Sequence, residues 1–508
     1  MTTRSDPLFI STAIPYVNSA PHLGFALELV IADAVARRAR QSGREVYFVT
    51  GTDDNAISNV RAASEAGRPI AEFVDENAAV FESLRGLLGI TWDGFIRTSK
   101  DARHLRGAAW FFERCLENGD IYTKSYSGLY CVGCELFLSE RELVEGRCPD
   151  HLAEPEIVEE ENHFFRLSRY TEELAERIGS GRLEIFPEFR GREIKQLLED
   201  GLEDISISRS SQRSSGWGIA VPGDPSQTLY VWFDALTNYV NALGGPGAED
   251  FDRFWDRGEV VHVIGKNIVR QHALFWPAIL LSAGVRLPDR LVVHGFITRK
   301  GRKLSKSTGN TIDPFAVVES VGAGVLRYFL LKASPGADIR FSADELFRTR
   351  DLLADGLGNL LSRVLRLIED RCNGLIPAPG EEGAEEEALR YEARAALDTL
   401  AGTTFDPSAA LGAVDGLVGK ANPYIVTVAP WTSEAGQAGR PLETQLFVLA
   451  ETLRIIAWGL QPYLPHTSAA ILDQLGAQAG EGSWGDGVIG CKVSRGDHLF
   501  PKHPAGIA

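Results

Sequence analysis

Two short stretches, far apart in the chain, carry side chains suited to phosphate chemistry. Lys303-Leu304-Ser305-Lys306-Ser307 sets two lysines three apart among small hydroxyl residues, with Arg299, Lys300 and Arg302 just ahead. Such a basic loop can close on a triphosphate as charge builds on departing pyrophosphate. Taken alone, it is as readily a solvated surface loop. His22-Leu23-Gly24-Phe25 opens a helix directly after an apolar strand, Leu8 to Ile14. Backbone N–H groups and the positive end of the helix collect anions there. His22 is placed to donate to a phosphate oxygen, and Gly24 lets a nucleotide approach the backbone. A lone histidine at a helix start is more often structural; paired with the basic loop, its functional reading becomes much stronger. A third group is Cys131-x-x-Cys134 and, 14 residues after Cys134, Cys148-x-x-His151. Two knuckles with two-residue gaps offer four N and S ligands at tetrahedral reach, the pattern of a closed, structural zinc site rather than of unrelated thiols.

The elements that must position these groups follow from periodicity. Residues 7 to 119 alternate strand and helix: a strand at Leu8 to Ile14, a helix at His22 to Gln41, a strand at Val46 to Thr50, then helices around Ile70 to Leu88 and Ala102 to Glu117. This βαβ order predicts a parallel sheet with ligands at the carboxyl ends of its strands. Residues 120 to 215 break the alternation and read as an insertion carrying the cysteine cluster and the acidic run Glu159-Glu160-Glu161. Alternation resumes with Val260 to Ile264 (strand), Val269 to Ser282 (helix) and Leu291 to Phe296 (strand), so the catalytic unit spans 1–119 and 216–343. From 344 to 508 the chain reads as all-helical, with a Pro/Gly/Glu-rich hinge from Asn373 to Glu387 and no internal repeat.

Bulk properties narrow the class. A chain of 508 residues is too long for one core, and 44% hydrophobic with 24% charged residues is ordinary for a globular protein. A net charge of −17 argues against a surface that coats nucleic acid, so any RNA contact must use local basic patches. No apolar run is long enough to span a membrane and the N-terminus lacks a signal-peptide core, which predicts a cytoplasmic protein. Six cysteines do not make a disulfide framework.

The order of these motifs resembles class I aminoacyl-tRNA synthetases, and the surrounding residues resemble the methionyl-tRNA synthetase family. Ala13-Ile14-Pro15-Tyr16-Val17-Asn18, Gly51-Thr52-Asp53, Tyr230-Val231-Trp232-Phe233-Asp234-Ala235-Leu236 and Ile264-Gly265-Lys266 with His272 look like its pocket segments, and the likeness runs from about residue 8 to 475. The resemblance implies a Rossmann-like catalytic domain with a zinc-knuckle insertion and a helical anticodon-binding domain. It implies ATP as co-substrate with Mg2+, and an aminoacyl-adenylate as intermediate. ATP would lie on His22, Gly24, Glu28, Lys303, Ser305, Lys306 and Ser307, with His22, Lys303 and Lys306 acting on the reacting phosphates. The amino acid would contact Ala13, Ile14, Tyr16, Asp53, Trp232, Tyr239, Ile268 and His272, with Asp53 on the ammonium and Arg209 holding that carboxylate in place. Asn359 and Arg363, four apart on one helix edge, and Trp431 match the residues that read the methionine anticodon; an amide, a guanidinium and an indole suit unstacked bases. On periodicity alone the helix edge is a solvated face. No C-terminal dimerisation module follows, so a monomer is expected.

Four departures from the family pattern fall in the expected active site: Phe25 replaces a histidine, Asp54-Asn55-Ala56 replaces Glu-His-Gly, Asn267 replaces an aspartate, and Gln271 replaces a phenylalanine. Phe cannot make the hydrogen bonds of histidine. Their concentration at the site, beside retained Lys303, Lys306, Glu28, Asp53, Trp232 and His272, tips the reading slightly toward a paralogue. It would pass its aminoacyl group to a small-molecule nucleophile, as in hydrazine-forming natural-product pathways, with any cupin-type partner a separate protein. Close behind stands ordinary methionine-tRNA ligation, and a non-catalytic tRNA- or amino-acid-binding regulator is the third reading.

Overall fold

The computed structural model describes residues 6–501 except 139, 150, 151, 305–309, 403 and 432–441, and the side chains of Leu136 and Arg141 are likewise left undescribed. Leu8–Thr12 is buried at every position, as expected of a strand covered on both faces. It pairs in parallel with Val46–Thr52 on one side and Glu259–Gly265 on the other. Outward from these lie Gly94–Arg97 and, on the other wing, Arg290–His294 followed by Glu184–Phe186, all parallel. This six-stranded sheet is the expected class I nucleotide-binding core. Its two edge strands went unread in the sequence, because segments of four and three residues are too short to show a period. Glu184–Phe186 also shows that the stretch read as an insertion, 120–215, returns to the main sheet before leaving it again. The rest of that stretch builds a four-stranded antiparallel sheet on the long pair Ile121–Cys131 and Glu156–Phe165.

The helix after the first strand runs Leu23–Gln41, with His22 as its N-cap. Leu23, Ala26, Leu27, Val30 and Ala34 are buried against the sheet. Deeper along it, Asp33 meets Arg327, whose Nη2 lies 2.8 Å from Asp33 Oδ2. Both side chains are buried. Arg327 also donates to the carbonyls of Leu88, Pro462 and Tyr463, so one guanidinium joins the sheet's first helix, the helix Ile70–Leu88 and the end of the helical region. That region packs Asn359–Cys372, Ala384–Gly402, Pro407–Val428, Leu442–Leu460 and Pro465–Leu475 around a shared apolar core. No single helix among the described residues is long and apolar enough to cross a membrane.

Arg327→Met is expected to destabilise the protein by about 3–5 kcal/mol, because it leaves Asp33 charged and buried beside only Arg37 and Thr91. Denaturant unfolding followed by both tryptophan fluorescence and circular dichroism checks this.

Candidate active site

The carboxyl ends of the central strands open onto a cavity of about 640 Å³, within the range that holds an aminoacyl nucleotide. Ala13, Ile14, Tyr16, His22, Gly24, Glu28, Asp53, Trp232, Tyr239, Ile268, His272 and Lys303 all line it, so residues read from distant motifs are brought to one wall. Ser305, Lys306 and Ser307 lie outside the described residues, as does His151.

At the nucleotide end, the helix cap is built by the histidine itself. His22 Nδ1 accepts the Gly24 N–H at 2.9 Å, which puts the proton of the neutral ring on Nε2. A Cβ on residue 24 would sit 2.6 Å from His22 Cε1, so the ring's position requires glycine there. Lys303 stands on the returning arm of a hairpin, Ile297–Arg299 to Arg302–Lys303, turned by Lys300 and Gly301 at φ 51° and 75°. Two consecutive positive φ values match the right-handed twist of the strands. Its Nζ lies 4.1 Å from the Phe296 ring, whose other contact is Lys266 Nζ at 4.3 Å. Glu28 lines the same end, and both its oxygens are engaged: Oε1 accepts the Ala13 N–H at 2.7 Å and Oε2 meets His294 Nε2 at 2.9 Å. It therefore ties the first strand's end to that of Arg290–His294. Phe25 fills space rather than bonding: its ring meets Phe81 edge-on at 5.2 Å.

At the amino-acid end, Asp53 is 1% exposed and has no cationic partner among the described residues. Its Oδ1 accepts the Asn55 N–H at 3.1 Å. Burial, then the neighbouring Asp234, pushes its carboxyl well above the usual range. Arg209 does not neutralise it. That guanidinium is buried among the faces of Tyr130, Phe137 and Tyr230, with Nη1 donating to the Ser208 carbonyl, and it does not line the cavity. Burial raises the carboxyl of Glu135, and the Arg209 charge only partly opposes that rise. Asn55 does a second job: its Nδ2 donates to Asp234 Oδ2 at 2.7 Å, while Asp234 Oδ1 meets His104 Nε2 at 2.5 Å. The departure from the family's histidine at position 55 thus leaves a tied network.

The side-chain pocket is walled by Trp232, Tyr239, Ile268, Gln271 and His272. His272 Nδ1 faces the Ile268 carbonyl at 2.9 Å, and its Nε2 takes the Tyr239 hydroxyl at 2.7 Å. Burial lowers His272 to about 4, so it stays neutral at working pH, with the proton on Nδ1. Trp232 Nε1 donates to the Cys134 carbonyl at 3.4 Å. Val132, Gly133 and Cys134 line the cavity, so the knuckle turn forms part of its wall. Glu135, just beyond and in a left-handed conformation (φ 53°), accepts from the Ser58 N–H and the Tyr130 hydroxyl, and its carbonyl accepts from the Tyr230 hydroxyl. Sequence reading missed Glu135, because nothing but its place beside Cys134 marks it. It also missed His294, which a search of strand carboxyl ends would have found. Cys131, Cys134 and Cys148 bring their sulfurs within 4.8 Å of one another, with Cys134 and Cys148 at 3.5 Å. Three soft donors at that separation fit one tetrahedral zinc ion.

In the helical region, the Arg363 guanidinium lies over the Trp431 ring at 5.8 Å, and Arg371 Nη2 donates to the Trp431 carbonyl. Ala429, at φ 44°, turns the chain there after Pro407–Val428. Asn359 is exposed one turn before Arg363 on the same helix. The three residues read together therefore occupy one face, apart from the cavity.

The family model described as tRNA synthetases class I (M) matches residues 8–154 and 150–365. The chain belongs to this family. It is a ligase of the class I aminoacyl-tRNA synthetase type. The methionine–tRNA ligase of Brucella melitensis is 39% identical over 507 residues, covering 98% of this chain and 96% of that one. That of Mycobacterium tuberculosis is 40% identical over 518 residues, covering 99% and 97%. A solved structure of the Mycobacterium tuberculosis methionyl-tRNA synthetase in complex with methionyl-adenylate superposes with a TM-score of 0.92 at 38% identity, covering 98% of this chain and all of that one. These full-length likenesses favour the ordinary ligase over the paralogue that the active-site departures suggested. They offer no support for a hydrazine pathway, a small-molecule acceptor or a cupin partner.

Purified protein is expected to carry one zinc per chain by metal analysis. Cys148→Ser should lower zinc content and loosen the insertion, because the ion supplies local folding energy. Asp53→Asn should raise the melting temperature of the ligand-free synthetase at pH 7. A carboxyl whose folded pKa is raised costs stability above its unfolded value near 4, and that cost fades as pH falls. Thermal unfolding of both proteins between pH 5 and 8 tests the sign, the gap narrowing toward the acid end.

Proposed function

We propose that the protein is a methionine–tRNA ligase that forms methionyl-adenylate from methionine and ATP and then esterifies tRNA. The observation that carries this reading is Asp53: a buried carboxylate facing a cavity, with like charges nearby and no cation among the described residues. A substrate ammonium supplies the missing counterion. The carboxylate of that substrate attacks the α-phosphorus of ATP, the bond from the α-phosphorus to the bridging oxygen of the β-phosphate breaks, and pyrophosphate leaves; magnesium, when bound, would offset the phosphate charge. A tRNA hydroxyl then attacks the acyl carbon and AMP departs. The phosphates rest on the His22 helix end, with Lys303 and Lys306 drawn to the leaving pyrophosphate, and Gly24 admits the nucleotide to the backbone. Glu28 acts as a strut that fixes Ala13 and His294 at the cavity edge. Trp232, Ile268 and the Tyr239–His272 pair receive the side chain, where aromatic faces and polarizable sulfur attract. Asn359, Arg363 and Trp431 meet anticodon bases by stacking and hydrogen bonding. Zinc on Cys131, Cys134, Cys148 and His151 is structural: it holds the turn whose carbonyl orients Trp232.

The test is charging of methionine tRNA with labelled methionine, expected at about 1 s⁻¹ or faster. Methionine-dependent pyrophosphate exchange without charging would remove the tRNA half of the proposal. Lys303→Ala should slow adenylate formation by ~10²-fold or more with little change in melting temperature. Methionine affinity should weaken as pH falls through the raised pKa of Asp53, a window above the ordinary carboxylate value. Isothermal titration at several pH values checks it, and Asp53→Asn should bind weakly at all of them.

A further inference from the structure

Gln271 is the one residue of the side-chain pocket whose polarity neither packing nor the proposed reaction uses. Its side chain is 2% exposed, and its Oε1 is buried without a hydrogen-bond partner among the described residues. Native proteins rarely leave such a group unmatched unless it serves a purpose. The surrounding polar groups are already engaged: the Tyr239 hydroxyl with His272, the His272 Nδ1 with the Ile268 carbonyl, and Trp232 Nε1 with the Cys134 carbonyl. None of them answers the amide. Gln271 and Ile268 are three apart on one helical stretch, and both line the cavity with His272. Gln271–Phe275 is wound as a π-helix ahead of Trp276–Ala283, where Pro277 has no N–H to give. π-turns recur at functional sites because they re-aim side chains.

An amide in a wall whose other polar groups are already paired changes what the wall can recognise. The terminal torsion of glutamine is broad and roughly two-fold, so the group can offer either N–H or C=O to a ligand. A thioether is only a weak acceptor for it. A hydroxyl or amide N–H at the same place can donate to Oε1, and a sulfoxide oxygen can accept from the Nε2 N–H once the amide turns over.

We propose that Gln271 makes the pocket a reader of polar side-chain ends, so that the protein activates unbranched amino acids of methionine's length bearing a neutral hydrogen-bonding group at the δ position. This rests on the amino-acid-activation half of the function proposed above and extends its substrate class.

The experiment is ATP–pyrophosphate exchange by the full chain with L-methionine, L-norleucine and L-methionine sulfoxide. Norleucine has methionine's length with no polar atom; the sulfoxide adds a strong acceptor. The unmodified protein is expected to use the sulfoxide at least as well as norleucine by kcat/KM. Gln271→Leu should lower the sulfoxide-to-norleucine ratio about tenfold or more, since a site that hydrogen-bonds a substrate group discriminates by that bond. Exchange with methionine and norleucine, but rejection of the sulfoxide equally by both proteins, would overturn the inference and leave methionine activation standing. No exchange with any amino acid would overturn both. Should the variant fail to fold, thermal shifts of the unmodified protein decide. A larger shift with saturating sulfoxide than with norleucine supports the role of Gln271, and an equal or smaller one refutes it.

Discussion

Arg327 and Asp33 form the contact on which the active site's geometry depends. Asp33 sits on the helix whose N-terminus presents His22 and whose second turn presents Glu28. Arg327 locks that helix to the last residue of Ile70–Leu88 and to the turn between Leu442–Leu460 and Pro465–Leu475 through backbone carbonyls. A buried guanidinium needs every donor matched, so the three elements cannot shift independently without leaving charge unpaired. Gln41 and Arg38 extend the same junction, one donating to the Trp458 carbonyl and the other lying over its ring. The helix that bears His22 and Glu28 and the helix that bears Trp458 are thus tied together at this junction.

Within the cavity, polar groups divide into those satisfied by the protein and those that await substrate. Glu28, Tyr239, His272 and Trp232 have protein partners and act as fixed walls. Asp53 has no countercharge among the described residues, and burial with Asp234 nearby raises its carboxyl well above the usual range. Arg209, expected beside it, is held instead against the rings of Tyr130, Phe137 and Tyr230. It acts on Glu135, and Glu135 in turn pins the knuckle turn to Ser58 and Tyr130. The cysteine turn and the cavity wall are therefore mechanically continuous.

The active-site departures look different once packed. Phe25 joins Phe81 and the buried Val17 in an apolar patch beside the nucleotide end, so its ring is used for cohesion rather than for bonding. Asn55 supports both Asp53 and Asp234. Asp54 is bound by Arg97, Ser99 and Thr52. Only Gln271 remains without a partner for its buried oxygen. Drift in two of the four positions, Phe25 and the stretch from Asp54 to Ala56, is thus accommodated by neighbours, which is compatible with the full-length likeness to methionine–tRNA ligases.

Sequence alone determined the class of the fold and most of the cavity's lining. Apolar runs and helical periods are local signals, and parallel βαβ order dictates that ligands collect at strand carboxyl ends. The helix Ile70–Leu88 and the helix Ala102–Glu117 appear with the bounds that periodicity predicted. Paired two-residue spacings likewise marked the three converging sulfurs. Only the tertiary structure decided which charge answers which. Arg209 and Asp53 are read together from the sequence, yet stacking on three aromatic rings captures the guanidinium and leaves the carboxylate without a cation among the described residues. The same holds for Arg327, which nothing in its apolar helix distinguishes until Asp33, nearly three hundred residues earlier, is folded against it. Long-range pairing of charge depends on who is buried beside whom, and no local pattern encodes that.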